Sequence, residues 1–318
     1  MQRTVLGRTG LEVSVAGLGC GGHSRLGQSY GASSADSIAV IHAALDYGID
    51  FVDTATIYGT EEIVGEALIG RRDRVVLSTK LHVTKPGTPQ LGHDMHSADS
   101  FCESFEDNLS RLRTDYVDIF HLHGVMPDQY DQARSELVPA LERLRDQGKV
   151  RFFGLTERFI HDTRHEMLDL ALEDDCWDVI MVGFNLINPS ARARVLERTR
   201  AQGIGVLNMF AVRRALSQPE ALVELIEGLV ADGLIDPDAV GGSEPLGFLT
   251  GAEVAASLPE AAYRFCRHET GIHVVLTGTG KVAHLQENMD SINGPPLPAA
   301  VLDRLAGLFG RIDSVSGN

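Results

Sequence analysis

"AGLGCGGHSRLGQSYGASSADSIAVIHAALDYG" (16–48) holds the decision between two folds. Gly17, Gly19 and Gly22 satisfy G-x-G-x-x-G directly after the apolar run "VSVAGLG" (13–19), and such glycines suggest a dinucleotide-binding crossover in an open sheet. In that motif the helix starts inside the glycine pattern, so that its N-terminus meets the pyrophosphate. Here "HSRLGQSYGASS" (23–34) separates the glycines from the first helical periodicity, near Ala35. The stretch reads instead as a strand, a flexible glycine-rich loop and then a helix. Gly21 and Gly22 let backbone approach a ligand closely.

The same order recurs to the end of the chain. Candidate strands are 13–19, "DFVDT" (50–54), "RVVLSTK" (74–80), "YVDIFHLH" (116–123), "RFFGLT" (151–156), "DVIMVGF" (178–184), "GVLNMF" (205–210) and "HVVLTG" (273–278). Amphipathic segments lie between them, such as "SADSFCESFEDNLSRLR" (97–113) and "SARARVLERTRAQG" (190–203), several opened by Ser or Asp and closed near Gly. A doubly wound open sheet uses the same alternation. Eight strand–helix units without a composition break, in 318 residues, match the count at which a parallel sheet closes into a (β/α)8 TIM barrel. The expectation is a single α/β barrel domain over 1–318. An N-terminal β-hairpin, "TVLGRTGLEV" (4–13), turns at Gly7 to Gly10. Extra helices are expected in the long connection 211–271, between the seventh and eighth barrel strands, and at 297–310.

Composition narrows the partners. The chain is 43% apolar and 23% charged, with a formal charge of −16. That balance argues against nucleic acid and anionic membrane surfaces, and an anionic ligand needs a locally basic pocket. The four cysteines (Cys20, Cys102, Cys176, Cys266) lie far apart and read as reduced thiols, with no metal site. The N-terminus carries no apolar run fit for a signal peptide or span, so a cytoplasmic protein is expected, a monomer or small homo-oligomer.

In such a barrel the carboxyl ends of the strands converge on one face. Asp53 ends the second candidate strand, Lys80 the third and His123 the fourth, while Tyr58 stands in the loop after the second. Each has a bland reading alone, as cap, turn residue or solvent-reaching charge; for Asp53, Thr60 is the better cap of the next helix. His121 and His123 share a face in period-2 alternation, and His123 is preferred for standing nearer the mouth. Together the four make a proton donor. A free phenol titrates near 10, and a neighbouring ammonium is expected to lower that value, with Asp53 holding Lys80 charged and His123 orienting the substrate oxygen or sharing the proton. A phenol so placed can protonate a developing alkoxide, and the hydride such chemistry needs implies a nicotinamide cofactor.

At these residues the chain resembles the aldo-keto reductase family. The matching segments are "GIDFVDTATIYGTEEIVGEAL" (48–68), "VVLSTK" (75–80), "LSRLRTDYVDIFHLHG" (109–124) and "GKVRFFGLTE" (148–157), the last where the family usually reads "GKIRxIGVSN". The resemblance implies a barrel that binds an extended NADP(H), with NAD(H) as second choice. It also implies carbonyl reduction or its reverse, with Tyr58 as general acid/base, Lys80 and Asp53 tuning it and His123 beside it. In "LTGTGKVAHLQENM" (276–289), glycines precede a helix N-terminus, a natural phosphate seat to which Lys281 adds charge. By resemblance Thr279, Gly280, Lys281, His284, Glu287 and Asn288 hold the adenosine end, with Gly21 and Gly22 also on the cofactor side. Position 284 is His where NADPH-binding relatives often carry Arg. Thr156 and Glu157 stand where a Ser-Asn pair holds the carboxamide, and Met181 where a Gln often helps. Met209 and Phe210 fall where an aromatic stacks on the nicotinamide, with Asn208 as the polar alternative. Arg213 and Arg214 either touch the pyrophosphate or face solvent.

The expected activity is interconversion of a small aldehyde, ketone or aldose with its alcohol. The alternative is a nicotinamide-binding subunit that reports redox state with little turnover. A Schiff-base lyase on Lys80 is the third reading, and the Asp53 partner argues against it. Loops 81–97, 124–131 and 211–250 and the tail 311–318 are expected to set the substrate, with His23, His82 and Phe248 on the pocket wall. A tail this short is expected to leave one side open to sugars and other polar carbonyls.

Overall fold

Leu6 and Val13 explain why the chain begins with a hairpin: both point into the floor of a barrel, against Phe51, Ile119, Val179 and Leu207. The protein is described by a computed structural model covering residues 1–240 and 244–318. Strands β1 (Arg3–Val5) and β2 (Glu12–Ser14) pair antiparallel around a turn at Gly7–Thr9. Gly7 has φ +49°, and a Cβ there would lie 2.4 Å from the Gly205 nitrogen, so glycine alone lets the turn sit this close.

Eight parallel strands follow: β3 (Ala16–Gly19), β4 (Phe51–Asp53), β5 (Val76–His82), β6 (Val117–Val125), β7 (Val150–Glu157), β8 (Val179–Gly183), β9 (Gly205–Met209) and β10 (Val274–Thr277). They form a closed barrel in which β10 bonds to both β9 and β3, as the eightfold alternation predicts. Alternate side chains fill the lumen, while their neighbours (Leu18, Val52, Leu77, Phe120, Leu155) pack outward against the helices.

Helices α1 (Ser34–Asp46), α2 (Glu61–Ala67), α3 (Ala98–Leu112), α4 (Pro127–Asp146), α5 (Glu166–Ala171) and α6 (Glu197–Gln202) take their places between successive strands. Ser33 caps α1 in a reciprocal box with Asp36, and Ser97 caps α3. Phe101, Phe105, Leu109 and Leu112 recur at helical spacing and are the face α3 buries. The long connection is largely helical: α7 (Arg214–Ser217), α8 (Pro219–Ala231), α9 (Pro237–Val240) and α10 (Leu258–Arg267). Residues 241–243 of the expected substrate loop 211–250 lie outside the described residues. After β10 come α11 (Val282–Asn293) and the extra helix α12 (Ala299–Phe309). No described helix is long and apolar enough to cross a membrane.

Three local expectations are corrected. The run 13–19 is two strands, because β2 stays with the hairpin and the chain bends at Val15 into β3. Ser14 and Asp50 pin that bend, with the Ser14 amide donating to Asp50 Oδ1 at 2.7 Å and the Asp50 amide to Ser14 Oγ at 3.1 Å. Strands β5 and β6 run past Lys80 and His123 to His82 and Val125, so those two side chains line the upper lumen instead of tipping their strands. Thr60 opens α2 without capping it, since its hydroxyl bonds that of Thr54 at 3.0 Å.

Candidate active site

Asp53 is the last residue of β4 and faces the lumen, where two groups of β5 meet it. Ser78 Oγ donates to Asp53 Oδ1 at 2.8 Å, and Lys80 Nζ lies 2.6 Å from Asp53 Oδ2. The ammonium also donates to the Thr54 carbonyl at 2.7 Å and is wholly buried. His121 Nε2 sits 3.1 Å from Ser78 Oγ, which places it below the mouth, within the polar layer that supports Asp53.

Tyr58 arrives on a single 3-10 turn, Thr56–Tyr58, after β4. Its ring centre is 4.9 Å from Lys80 Nζ and 5.7 Å from the His123 ring, the two rings perpendicular. Gly21 makes this position available, because a Cβ on it would lie 2.4 Å from Tyr58 Cε2. From behind, Thr56 donates to Asn108 Oδ1 at 3.0 Å, and Arg111 joins Asn108 to the buried carboxylate of Glu61. The His123 ring stacks on His82 at 4.4 Å, and its Nδ1 is buried without a partner among the described residues. Asp53, Tyr58, Lys80 and His123 are thus brought together, and of the two histidines His123 is the one that meets the phenol.

The electrostatics differ from expectation at one point. Burial opposes the charge on Lys80, but Asp53 and Tyr58 outweigh it and hold the ammonium above its ordinary value. Tyr58 is raised, not lowered. Burial dominates, and with Asp53 it outweighs Lys80, whose charge is already largely answered by the carboxylate beside it. The phenol therefore rests protonated. Burial also depresses His121 and His123 well below the ordinary histidine value, so both are neutral near neutrality.

The expected cofactor residues divide. Gly22 has φ +66°, and a Cβ there would stand 3.8 Å from Arg213 Nη1, so loop and guanidinium meet at the mouth. Arg213 lies 4.1 Å above the Phe210 ring. Phe210 itself has φ +68° and packs edge-on against Phe159. Met209 and Met181 face the lumen. Arg214 is exposed and points away toward Glu224, 3.7 Å distant. Asn208 faces the helical layer and donates to the Phe184 carbonyl at 2.9 Å, which removes it from the lumen. Beyond β10, Gly280 approaches Gly27 so closely that a Cβ on it would lie 2.4 Å from Gly27 Cα. Thr279 Oγ1 accepts from the Lys281 amide at 3.1 Å, and Asn288 donates to Thr277 Oγ1 at 2.8 Å. The start of α11 has no side-chain cap, and Lys281, His284 and Glu287 are exposed around it.

Glu157 is the principal correction. Its Oε1 accepts from the Gly183 amide at 2.7 Å, and both its oxygens lie within 3.0 Å of His165 Nδ1. The side chain points out of the lumen, so it has no free oxygen for an amide in the site. Thr156 faces inward, with its hydroxyl accepting from the Gly124 amide at 2.7 Å. The network runs on through Ser190 and Asn188 to the tail: Asn188 donates to the Val315 carbonyl at 2.9 Å and Asn185 to that of Ser316 at 3.1 Å. Arg213 donates to the Asn318 side chain at 2.7 Å. The tail therefore borders the mouth and is fixed there, where an open side was expected. Its "SVSGN" has no periodicity to announce this. Nor does any spacing mark His165 or Phe159, whose ring covers Gly183.

The donor set fits the phosphate end of a dinucleotide: uncapped amides at α11, Lys281, Gly22 and Arg213 gather cationic and N–H groups. It does not fit amide recognition by Glu157.

Comparison with known proteins agrees with the barrel. The sequence model described as "Aldo/keto reductase family" matches residues 18–222. The chain is 35% identical over 208 residues to an L-galactose dehydrogenase of Arabidopsis thaliana, an alignment covering 64% of this chain and 63% of that protein. The fold superposes on aldo-keto reductase AKR11C1 of Bacillus halodurans in its holo form with a TM-score of 0.72 and 23% identity, over 99% of this chain and 98% of that one. An aldo/keto reductase from Klebsiella pneumoniae in complex with NADP and acetate superposes with a TM-score of 0.69 and 21% identity, over the same shares.

Proposed function

This chain belongs to the aldo/keto reductase family of oxidoreductases, and from that premise we infer that it interconverts a carbonyl and its alcohol with Tyr58 as proton donor and acceptor. The observation that carries this reading is the buried Asp53–Lys80 pair beneath a phenol that faces His123. A reduced nicotinamide, when bound, would supply the hydride.

The protein's own contribution is electrostatic and geometric. Tyr58 holds its proton at rest and gives it to the substrate oxygen as negative charge develops there. Lys80 then stabilises the phenolate that remains, in a buried setting where one ammonium counts for far more than in water. Asp53 keeps that ammonium charged and aimed. Neutral His123, with its ring against Tyr58, directs the carbonyl oxygen toward the phenol. In the oxidative direction the same groups take the proton back.

NADP(H) is the preferred cofactor in this reading. Lys281 and the uncapped amides of α11 would take the adenosine-side phosphates, and Arg213 with Gly22 the pyrophosphate. The NADP carried by the Klebsiella relative is in keeping with that choice. The sugar named for the Arabidopsis relative makes aldoses the first substrates to test.

The deciding experiment is a thermal shift with NADP⁺ and NAD⁺ separately, followed by an oxidation screen over aldoses and a reduction screen over aldehydes. Stabilisation by NADP⁺ with loss of nicotinamide absorbance on an aldehyde is the expected outcome. Stabilisation without turnover would point to a redox-reporting subunit, and no shift with either nucleotide would end the cofactor assignment.

A further inference from the structure

Arg158 follows the last residue of β7 and stands at the same mouth as Tyr58 and His123. Its Nη1 lies 3.8 Å from where a Cβ on Gly124 would be, and His82 Cε1 lies 3.6 Å from that point, so guanidinium and imidazole flank the residue after His123. Its Nε contacts His161 Nδ1 at 3.3 Å. No carboxylate pairs with it among the described residues, and burial lowers its pKa with no acidic neighbour to offset the loss. Both His82 and His123 feel its charge.

Acidic residues outnumber basic ones, 44 to 28. Among other partly buried arginines, Arg72 pairs with Asp118 and Arg111 with Glu61, while Arg213 and Arg267 lack a carboxylate but donate to the side-chain oxygens of Asn318 and Gln2; the Arg158 guanidinium meets only the His161 ring nitrogen among the described residues. A partly desolvated guanidinium without an oxygen acceptor among the described residues, beside the proposed reacting groups, is a fork of donors able to take an anion. A planar fork of this kind matches two oxygens of a carboxylate or phosphate.

We propose that Arg158 sets specificity by binding an anionic group, carboxylate or phosphate, carried by the carbonyl substrate. This deepens the reading of Tyr58 and His123 as the carbonyl site and rests on it. The carbonyl would sit at Tyr58 and His123, with the anion a few bonds away over Gly124.

The test uses wild type, Arg158→Met and Arg158→Lys with NADPH and matched aldehydes: para-carboxybenzaldehyde against para-carbamoylbenzaldehyde, and glyceraldehyde against its phosphate ester. Wild type is expected to prefer the charged member of at least one pair, and which pair it is separates carboxylate from phosphate. Arg158→Met is expected to lose about 10- to 100-fold in kcat/KM on that charged member, through KM, with the neutral member within about twofold. Arg158→Lys is expected to fall between. Equal losses on both members, or no preference in wild type, would overturn the proposal. If no aldehyde is reduced, the reductase reading has failed, and calorimetric titration with benzoate, benzamide and phenyl phosphate still decides the role of Arg158. Binding of an anion that Arg158→Met abolishes supports it, and indifference to charge sinks it.

Discussion

The rings of His82 and His123 lie parallel, 4.4 Å apart, with His82 Nδ1 bonded to the His123 carbonyl at 3.0 Å. A second proton charge in that stack would face the first, and burial already opposes either one. His82 is lowered to about 4 and His123 well below its ordinary value. An unfolded histidine titrates near about 6.5, so below that pH the unfolded chain takes up protons that the native stack refuses. The contribution is complete above about pH 7 and shrinks as pH falls, by up to about 1.4 kcal/mol per pH unit for each histidine that stays neutral. Burial raises Asp53 and Glu157, which acts in the opposite sense, so the histidine part is read by difference. Urea midpoints at pH 7 and 5 are expected to fall less in His82→Asn than in wild type. Equal falls would refute the stack as an acid-sensitive element.

Tyr58 is raised above the ordinary phenol value. A proton donor of this kind stays loaded across neutral pH, so reductive kcat/KM is expected to remain flat from neutrality to beyond about pH 10. Tyr58→Phe is expected to lower kcat by about 100- to 10,000-fold and to leave the nucleotide thermal shift in place. Normal turnover in that variant would put the acid elsewhere.

Gly21→Ala tests placement apart from chemistry. The added methyl would meet the Tyr58 ring at 2.4–2.6 Å and push it off its present line. Turnover is expected to fall about 100-fold, with stability down by only about 1–3 kcal/mol. A variant with wild-type kinetics would show that the ring position is not fixed from this side.

Lys80→Met leaves the Asp53 carboxylate buried without its countercharge. Unfolding free energy is expected to drop by about 3–5 kcal/mol, read from denaturant midpoints. Asp53→Asn combined with Lys80→Met is expected to be more stable than Lys80→Met alone, since the stranded charge is gone. Additive losses would mean that the pair is not energetically coupled.

How far the sequence carried the reading can be seen residue by residue. The barrel was legible because β-branched runs and helical periods repeat, and because the helix after Gly22 starts too late for a nucleotide crossover. Asp53, Lys80 and His123 were legible because each falls at or near the carboxyl end of its candidate strand, and Tyr58 because it lies in the loop after the second, all at the face where barrel strands converge. Parity could not separate His121 from His123; nearness to the mouth favoured His123, and the structure agrees, with His121 at Ser78 lower in the lumen and His123 against the Tyr58 ring. The direction of the Tyr58 shift was misread because a ligand-free sequence reveals the neighbouring charge and hides the desolvation. Glu157 was misread for a related reason. Neighbouring residues on β7 face opposite sides, and the one turned outward found His165, eight residues on. No spacing or motif marks Arg158, whose lack of a carboxylate among the described residues shows only in the folded chain.

The bond between Glu157 and His165 links two positions that no helix or strand period in the sequence would pair. Changing residue 157 alone strands an imidazole and the Gly183 amide, and changing 165 alone strands a carboxylate in the helical layer. Drift at one site is therefore closed off unless the other moves in the same step. Any library meant to re-equip this rim has to randomise both codons together.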